Sequence, residues 1–114
     1  MIEEIILNYL KTSLSPTAVT TEIRQGMSGA FVVIEKTGSS QSDLLFHSTI
    51  AVQSYGSSLY EAMSLNKLVK DAMFSAVSLD KITRVELNSD YNYTDQATKQ
   101  PRYQAVFDIT HYKE

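Results

Sequence analysis

Ser58-Leu-Tyr-Glu-Ala-Met-Ser-Leu-Asn-Lys-Leu-Val-Lys-Asp-Ala-Met-Phe-Ser-Ala-Val77 is the one long amphipathic pattern in the chain. Leu59, Ala62, Met63, Leu65, Val69, Ala72, Met73 and Ala76 recur with a period near 3.6 residues, which lays an apolar stripe along a helix. Glu61, Asn66, Lys67, Lys70 and Asp71 fall mostly on the other side. Ser58 followed three residues on by Glu61 is a reciprocal capping pair, able to satisfy two free backbone N–H groups at the start of the helix. A helix of ~20 residues is ~30 Å long and spans a small domain. Its stripe must be buried on something, and the β-rich segments on either side are the available partner.

Before this helix, residues 3–14 repeat the helical period with Ile2, Ile5, Ile6, Tyr9 and Leu10. Ser15-Pro16 stops that helix, because the residue before proline avoids the helical region. Residues 18–23 are a short β-branched run, and residues 25–29 form a loop. Phe31, Val32, Val33 and Ile34 are consecutive and apolar, as in a strand buried on both faces. Residues 37–42, Thr-Gly-Ser-Ser-Gln-Ser, are expected to be a turn-rich connector with a mobile tip. Residues 44–55 alternate: Leu44, Phe46, Ile50 and Val52 share one parity, and His47, Thr49, Gln53 and Tyr55 share the other. One face of that strand is therefore expected on the core, with the other wet or covered by a partner.

After the long helix, residues 82–88 form a strand and residues 89–101 a polar loop. Residues 102–112 return as a strand with Tyr103, Ala105, Phe107 and Ile109 set against Arg102, Gln104, Asp108 and Thr110. The order is α-β-β-β-α-β-β. It implies an α+β fold in which two helices pack on one face of a mixed, mainly antiparallel sheet of four to five strands.

At 114 residues with 43% apolar side chains, residues 1–114 form one domain with a proper core. The chain has no cysteine, which excludes disulfides, thiolate metal sites and a cysteine nucleophile. The N-terminal stretch carries Glu3 and Glu4 where a secretory leader would be basic, and no run is long enough to cross a membrane. A net charge of −3 disfavours nucleic-acid binding by a broad basic surface.

No residue set completes a catalytic or metal site, so neither an enzymatic role nor a cofactor is expected. His47 and His111 lie on strands without further ligands at metal spacing and read as sheet-face or surface residues. Asp90, Asn92 and Thr94 imitate the start of a calcium loop, but Asp95 and Pro101 occupy the positions of its glycine and final glutamate. Gly26-Met-Ser-Gly29 precedes a strand and reads as a plain turn. Residues 90–100 are different. The loop carries two tyrosines, two acids and a lysine, and Arg102 and Tyr103 flank it. A long loop of this kind is either solvated or an arm whose tyrosines anchor a protein.

Several stretches together resemble the tail terminator (tail completion) proteins of long-tailed bacteriophages. Phe31-Val-Val-Ile-Glu-Lys-Thr-Gly38 looks like their early hairpin, and Ala51-Val-Gln-Ser-Tyr-Gly-Ser-Ser-Leu-Tyr-Glu-Ala62 resembles their central strand-to-helix passage. Arg84-Val-Glu-Leu-Asn-Ser-Asp-Tyr-Asn-Tyr-Thr-Asp95 and Arg102-Tyr-Gln-Ala-Val-Phe-Asp-Ile-Thr-His-Tyr112 are similar to their last hairpin. The match is collective and covers nearly the whole chain; it departs over residues 21–29, where the family carries a proline-rich segment.

The resemblance implies a non-enzymatic virion protein at the head-proximal end of the tail, assembled in the bacterial host cytoplasm. Such a protein forms a ring, typically of six copies, that ends growth of the major tail tube protein and presents a surface to the head completion or stopper protein. Six copies would carry about −18 of net charge. An acidic lumen of that kind would let phage DNA pass without sticking. A ring needs one patch of each copy to meet a different patch on the next. His47, Thr49, Gln53, Arg84 and Glu86 are expected on or near the free sheet face, and Tyr91, Tyr93, Arg102 and Tyr103 are expected to anchor contacts to a neighbour or to the tube. Another head–tail connector protein of similar fold, or a small ligand-binding α+β domain with a pocket between sheet and helix, are the alternative readings.

Overall fold

A computed structural model of the chain describes residues 1–23 and 27–113. The order of elements is the expected one: α1 (Ile2–Ser13), β1 (Ala18–Thr20), β2 (Phe31–Ser42), β3 (Leu45–Tyr55), α2 (Leu59–Ser75) continued by a single 3-10 turn (Ala76–Ser78), β4 (Ile82–Asn92) and β5 (Arg102–Tyr112). The strands make one sheet in the order β1-β2-β3-β5-β4. Only the β1–β2 ladder is parallel, so the sheet is mixed and mainly antiparallel. β3 and β4 run the same way with β5 between them, and α2 connects the two.

Both helices pack on one face. Ile2, Ile6 and Leu10 of α1 and Leu65, Val69 and Met73 of α2 close over Val32, Ile34, Ile50, Val52, Ala105, Phe107 and Ile109. The four apolar residues that open β2 do split between faces. Val32 and Ile34 join this core, while Phe31 and Val33 pack on the other side with Tyr55 and Met27. The α2 stripe is narrower than its sequence period implies: Leu59 and Met63 are exposed, and Asn66 is buried in their stead. The amide of Asn66 donates to Asp90 Oδ1 at 2.7 Å, and Lys70 binds the other oxygen at 2.5 Å, so a carboxylate on β4 ties down the polar part of the helix.

The α2 start follows its sequence signal. The Glu61 N–H donates to Ser58 Oγ at 3.1 Å, and Glu61 Oε1 accepts from the Ser57 N–H at 2.6 Å. Ser58→Ala should therefore lower stability by ~1 kcal/mol, read from the midpoint of urea unfolding. An unchanged midpoint would show that the cap contributes nothing.

Two expectations about loops are corrected. Residues 37–42 are not a connector; they continue β2, and the hairpin turns at Asp43 and Leu44, with Asp43 at φ +55°. Residues 89–92 are not loop either; β4 runs on to Asn92, leaving 93–101 as the connection to β5. β1 is shorter than expected, ending at Thr20. Part of the expected 25–29 loop lies outside the described residues.

Candidate protein interface on the open sheet face

The face of the sheet turned away from both helices is built by alternation. On β3 it presents His47, Thr49, Ala51, Gln53 and Tyr55; on β5, Arg102, Gln104, Val106, Asp108 and Thr110. Register with β5 brings Arg84, Glu86 and Tyr91 of β4 onto the same face, opposite Thr110, Asp108 and Gln104. His47, Thr49, Gln53, Arg84, Glu86, Tyr91 and Arg102 thus share one surface. Tyr93 joins them through its N–H, which donates to the Arg102 carbonyl at 2.8 Å.

Tyr103 does not. It has the parity of Ala105 and Phe107, so it points to the helix side, where it borders a hollow of about 390 Å³ with Met63, Lys67 and Lys70. Its neighbours in sequence face the opposite way because a strand alternates at every residue. Tyr103 is therefore not part of the set formed by Tyr91, Tyr93 and Arg102.

At one end of this surface the side chains form a directed chain of hydrogen bonds across three strands. Arg102 Nη1 donates to Tyr55 Oη at 2.8 Å, and Tyr55 Oη donates to Gln53 Oε1 at 3.3 Å. Gln53 Nε2 donates to Gln104 Oε1 at 2.8 Å, and Gln104 Nε2 donates to Tyr91 Oη at 2.5 Å. Successive bonds of this sort polarise one another. The Tyr91 hydroxyl ends the chain as an acceptor and still carries a proton of its own to donate.

The Arg102 guanidinium sits 4.4 Å from the Tyr93 ring centre and 5.4 Å from that of Tyr55, and its Nε donates to the Tyr93 carbonyl at 2.8 Å. Tyr55 in turn stacks on Phe31 at 4.5 Å, and Tyr91 meets Tyr93 edge-on at 5.7 Å. Tyr55 is 2% exposed, whereas Tyr91 and Tyr93 are 40% and 43% exposed. The inner aromatic layer is thus sealed, and the outer one is a rigid ledge. None of the ion pairs among the described residues includes Arg102.

The other end of the face is polar and self-satisfied. Thr49 Oγ1 and Asn88 Nδ2 donate to the two oxygens of Asp108 at 2.9 and 3.0 Å, and Arg84 pairs with Glu86 at 3.1 Å. A shallow hollow of about 410 Å³ opens here beside His47, Glu86 and Asp108. With a donor on each carboxylate oxygen, Asp108 ties β3 and β4 together across β5 and orders this end of the face.

The two histidines lie on opposite faces, since Thr110 faces His47 across the ladder and Phe46 faces His111. His111 is 1% exposed, not a surface residue. Its Nδ1 lies 3.0 Å from the Tyr112 carbonyl oxygen and its Nε2 lies 2.8 Å from Ser48 Oγ. This buried Ser48–His111 pair was missed because periodicity shows that residue 111 shares the core parity but not which partner meets it. No group of three or more histidines and carboxylates able to hold a metal occurs among the described residues. No helix there is long and apolar enough to cross a membrane. No family model matches the sequence, and no curated protein matches it.

Proposed function

We propose that the chain is a structural virion protein that closes the end of a phage tail tube as a ring, stops tube growth and offers the surface to which the head joins. Its work is done by shape and contact, without cofactor or covalent chemistry. The ordered ledge of Tyr91, Tyr93 and Arg102 on a sheet face that no helix covers is the observation that carries this reading. Tyrosine and arginine are the residues that dominate protein contacts, and pre-ordering them lowers the entropy cost of docking. The resemblance of the sequence to tail terminators supplies the identity of the partner.

The test is electron microscopy of the purified protein alone and with polymerising tail tube protein from the same phage. Rings of uniform diameter, and tubes that end in them at a fixed point, are expected. Tubes that grow equally long with and without the protein would end the proposal. The double variant Tyr91→Ala, Tyr93→Ala should weaken capping at least tenfold. It should also lower folding stability by ~1–2 kcal/mol, because Gln104 loses its acceptor and Arg102 one of its two rings. Tubes capped at the wild-type protein concentration by this variant would show that the ledge is not the contact.

A further inference from the structure

Both long edges of the sheet are open, and they match each other. β1 covers the outer edge of β2 only along Phe31, Val32 and Val33, so among the described residues no strand pairs with that side from Ile34 to Ser42. Among the described residues, no strand pairs with the outer side of β4. Native sheets usually blunt such edges with charge, proline or distortion. β4 does so in part, with ladder irregularities between Ile82 and Arg84 and between Leu87 and Ser89 that leave Arg84–Glu86 regular. β2 beyond its own irregularity at Lys36/Gly38 has neither charge nor proline, only Gly38, Ser39, Ser40, Gln41 and Ser42.

The strands alternate in direction from β2 through β3 and β5 to β4, so the two edges run antiparallel to one another. They also lie at the same level: Ser40 is opposite His47, His47 opposite Thr110, and Thr110 opposite Arg84. If copies stand side by side with strands aligned, β4 of one meets β2 of the next antiparallel and without an axial step. A heterologous contact closes into a ring only when it has no axial step and its rotation divides a full turn, whereas one with a step makes a filament. On the helix side, beside the β4 edge, Phe74, Val77 and Leu87 are 45%, 49% and 39% exposed, an apolar strip that such a neighbour would cover.

We infer that copies of this chain join edge to edge, the Arg84–Glu86 segment of β4 pairing with the Gly38–Ser42 segment of β2 in the next copy. The inference rests on the ring reading and gives it an interface.

The experiment uses the absence of native cysteine. The double variant Ser40→Cys, Arg84→Cys, gently oxidised, should give a ladder of disulfide-linked multimers on a denaturing gel, and neither single variant should. Gln41→Pro is the second arm. In a two-residue hairpin the flanking pair, here Ser42 and Leu45, exchanges both bonds, so Ser40 also bonds inward and the N–H groups of Ser39 and Gln41 point outward. Proline at Gln41 should cut the assembled fraction at least tenfold at fixed concentration, with the unfolding midpoint kept. Rings that persist without a ladder and with Gln41→Pro overturn the edge contact and leave the ring reading standing. A chain that stays monomeric and uncrosslinked at every concentration, alone and with tube protein, overturns both. A ladder with uncapped tubes upholds the edge contact and defeats the capping reading.

Discussion

Phe107→Ala should remove ~3–5 kcal/mol of folding stability, the range for deleting a fully buried aromatic ring. Phe107 lies on β5, the strand that bonds both β3 and β4, with Ile50 opposite on one side and Leu87 on the other. It is 0% exposed, and the edge of its ring meets Phe74 of α2 at 6.1 Å and 79°. The same side chain thus holds strand to strand and sheet to helix. Alanine would leave a void that neither neighbouring strand can move to fill without breaking its own ladder. Domains of this size are stable by only ~5–15 kcal/mol, so the variant should unfold at much lower denaturant. The midpoint of guanidinium unfolding followed by circular dichroism should fall while the slope is retained. Phe107→Leu, which keeps most of the volume, should cost less than half as much. A loss under ~1 kcal/mol for alanine would mean that β5 is not the centre of the core.

The order of elements and the sidedness of the sheet were legible because burial imposes a period. Ile50 and Val52 against Thr49 and Gln53 state which way β3 faces, and Phe107 and Ile109 against Asp108 and Thr110 do so for β5. Residues 37–42 were not legible. Gly38, Ser39, Ser40 and Ser42 favour turns locally, and only pairing with β3 holds them extended, which is tertiary context overriding propensity. Asn66 was placed on the wet side for a similar reason. Its partner Asp90 is 24 residues away, and a bond of that kind leaves no trace in helical periodicity. The parity of Tyr103 with Ala105 was legible and argued against its place among the contact residues. Its adjacency in sequence to Arg102 obscured the alternation that sends the two side chains to opposite faces. The ledge itself was half legible: its tyrosines and arginine stood out by type, but not Tyr55 and Gln104, the buried residues that brace them.

Arg102→Ala is expected to weaken tube capping by more than ~30-fold, since truncating a central arginine anchor costs at least ~2 kcal/mol of binding. The guanidinium is held from two sides, by the Tyr55 hydroxyl and the Tyr93 carbonyl, and lies against both rings. It does not have to be ordered when a partner arrives. Two of its N–H groups are engaged by these bonds, and the rest form a planar donor fork that matches a carboxylate or a pair of carbonyl oxygens. Loss of Arg102 also frees Tyr93 and removes the first donor of the chain that runs through Tyr55 and Gln53 to Tyr91. The outer ledge should therefore become mobile, and folding stability should fall by ~1–3 kcal/mol. Arg102→Lys separates charge from geometry. An ammonium keeps the charge but cannot span Tyr55 and Tyr93 or present a fork, so it should restore little of the assembly. If Arg102→Lys assembles like the unaltered protein, charge alone suffices and the pre-ordered fork is irrelevant. If Arg102→Ala caps tubes normally while remaining folded, the aromatic ledge is internal packing of the sheet face and takes no part in docking.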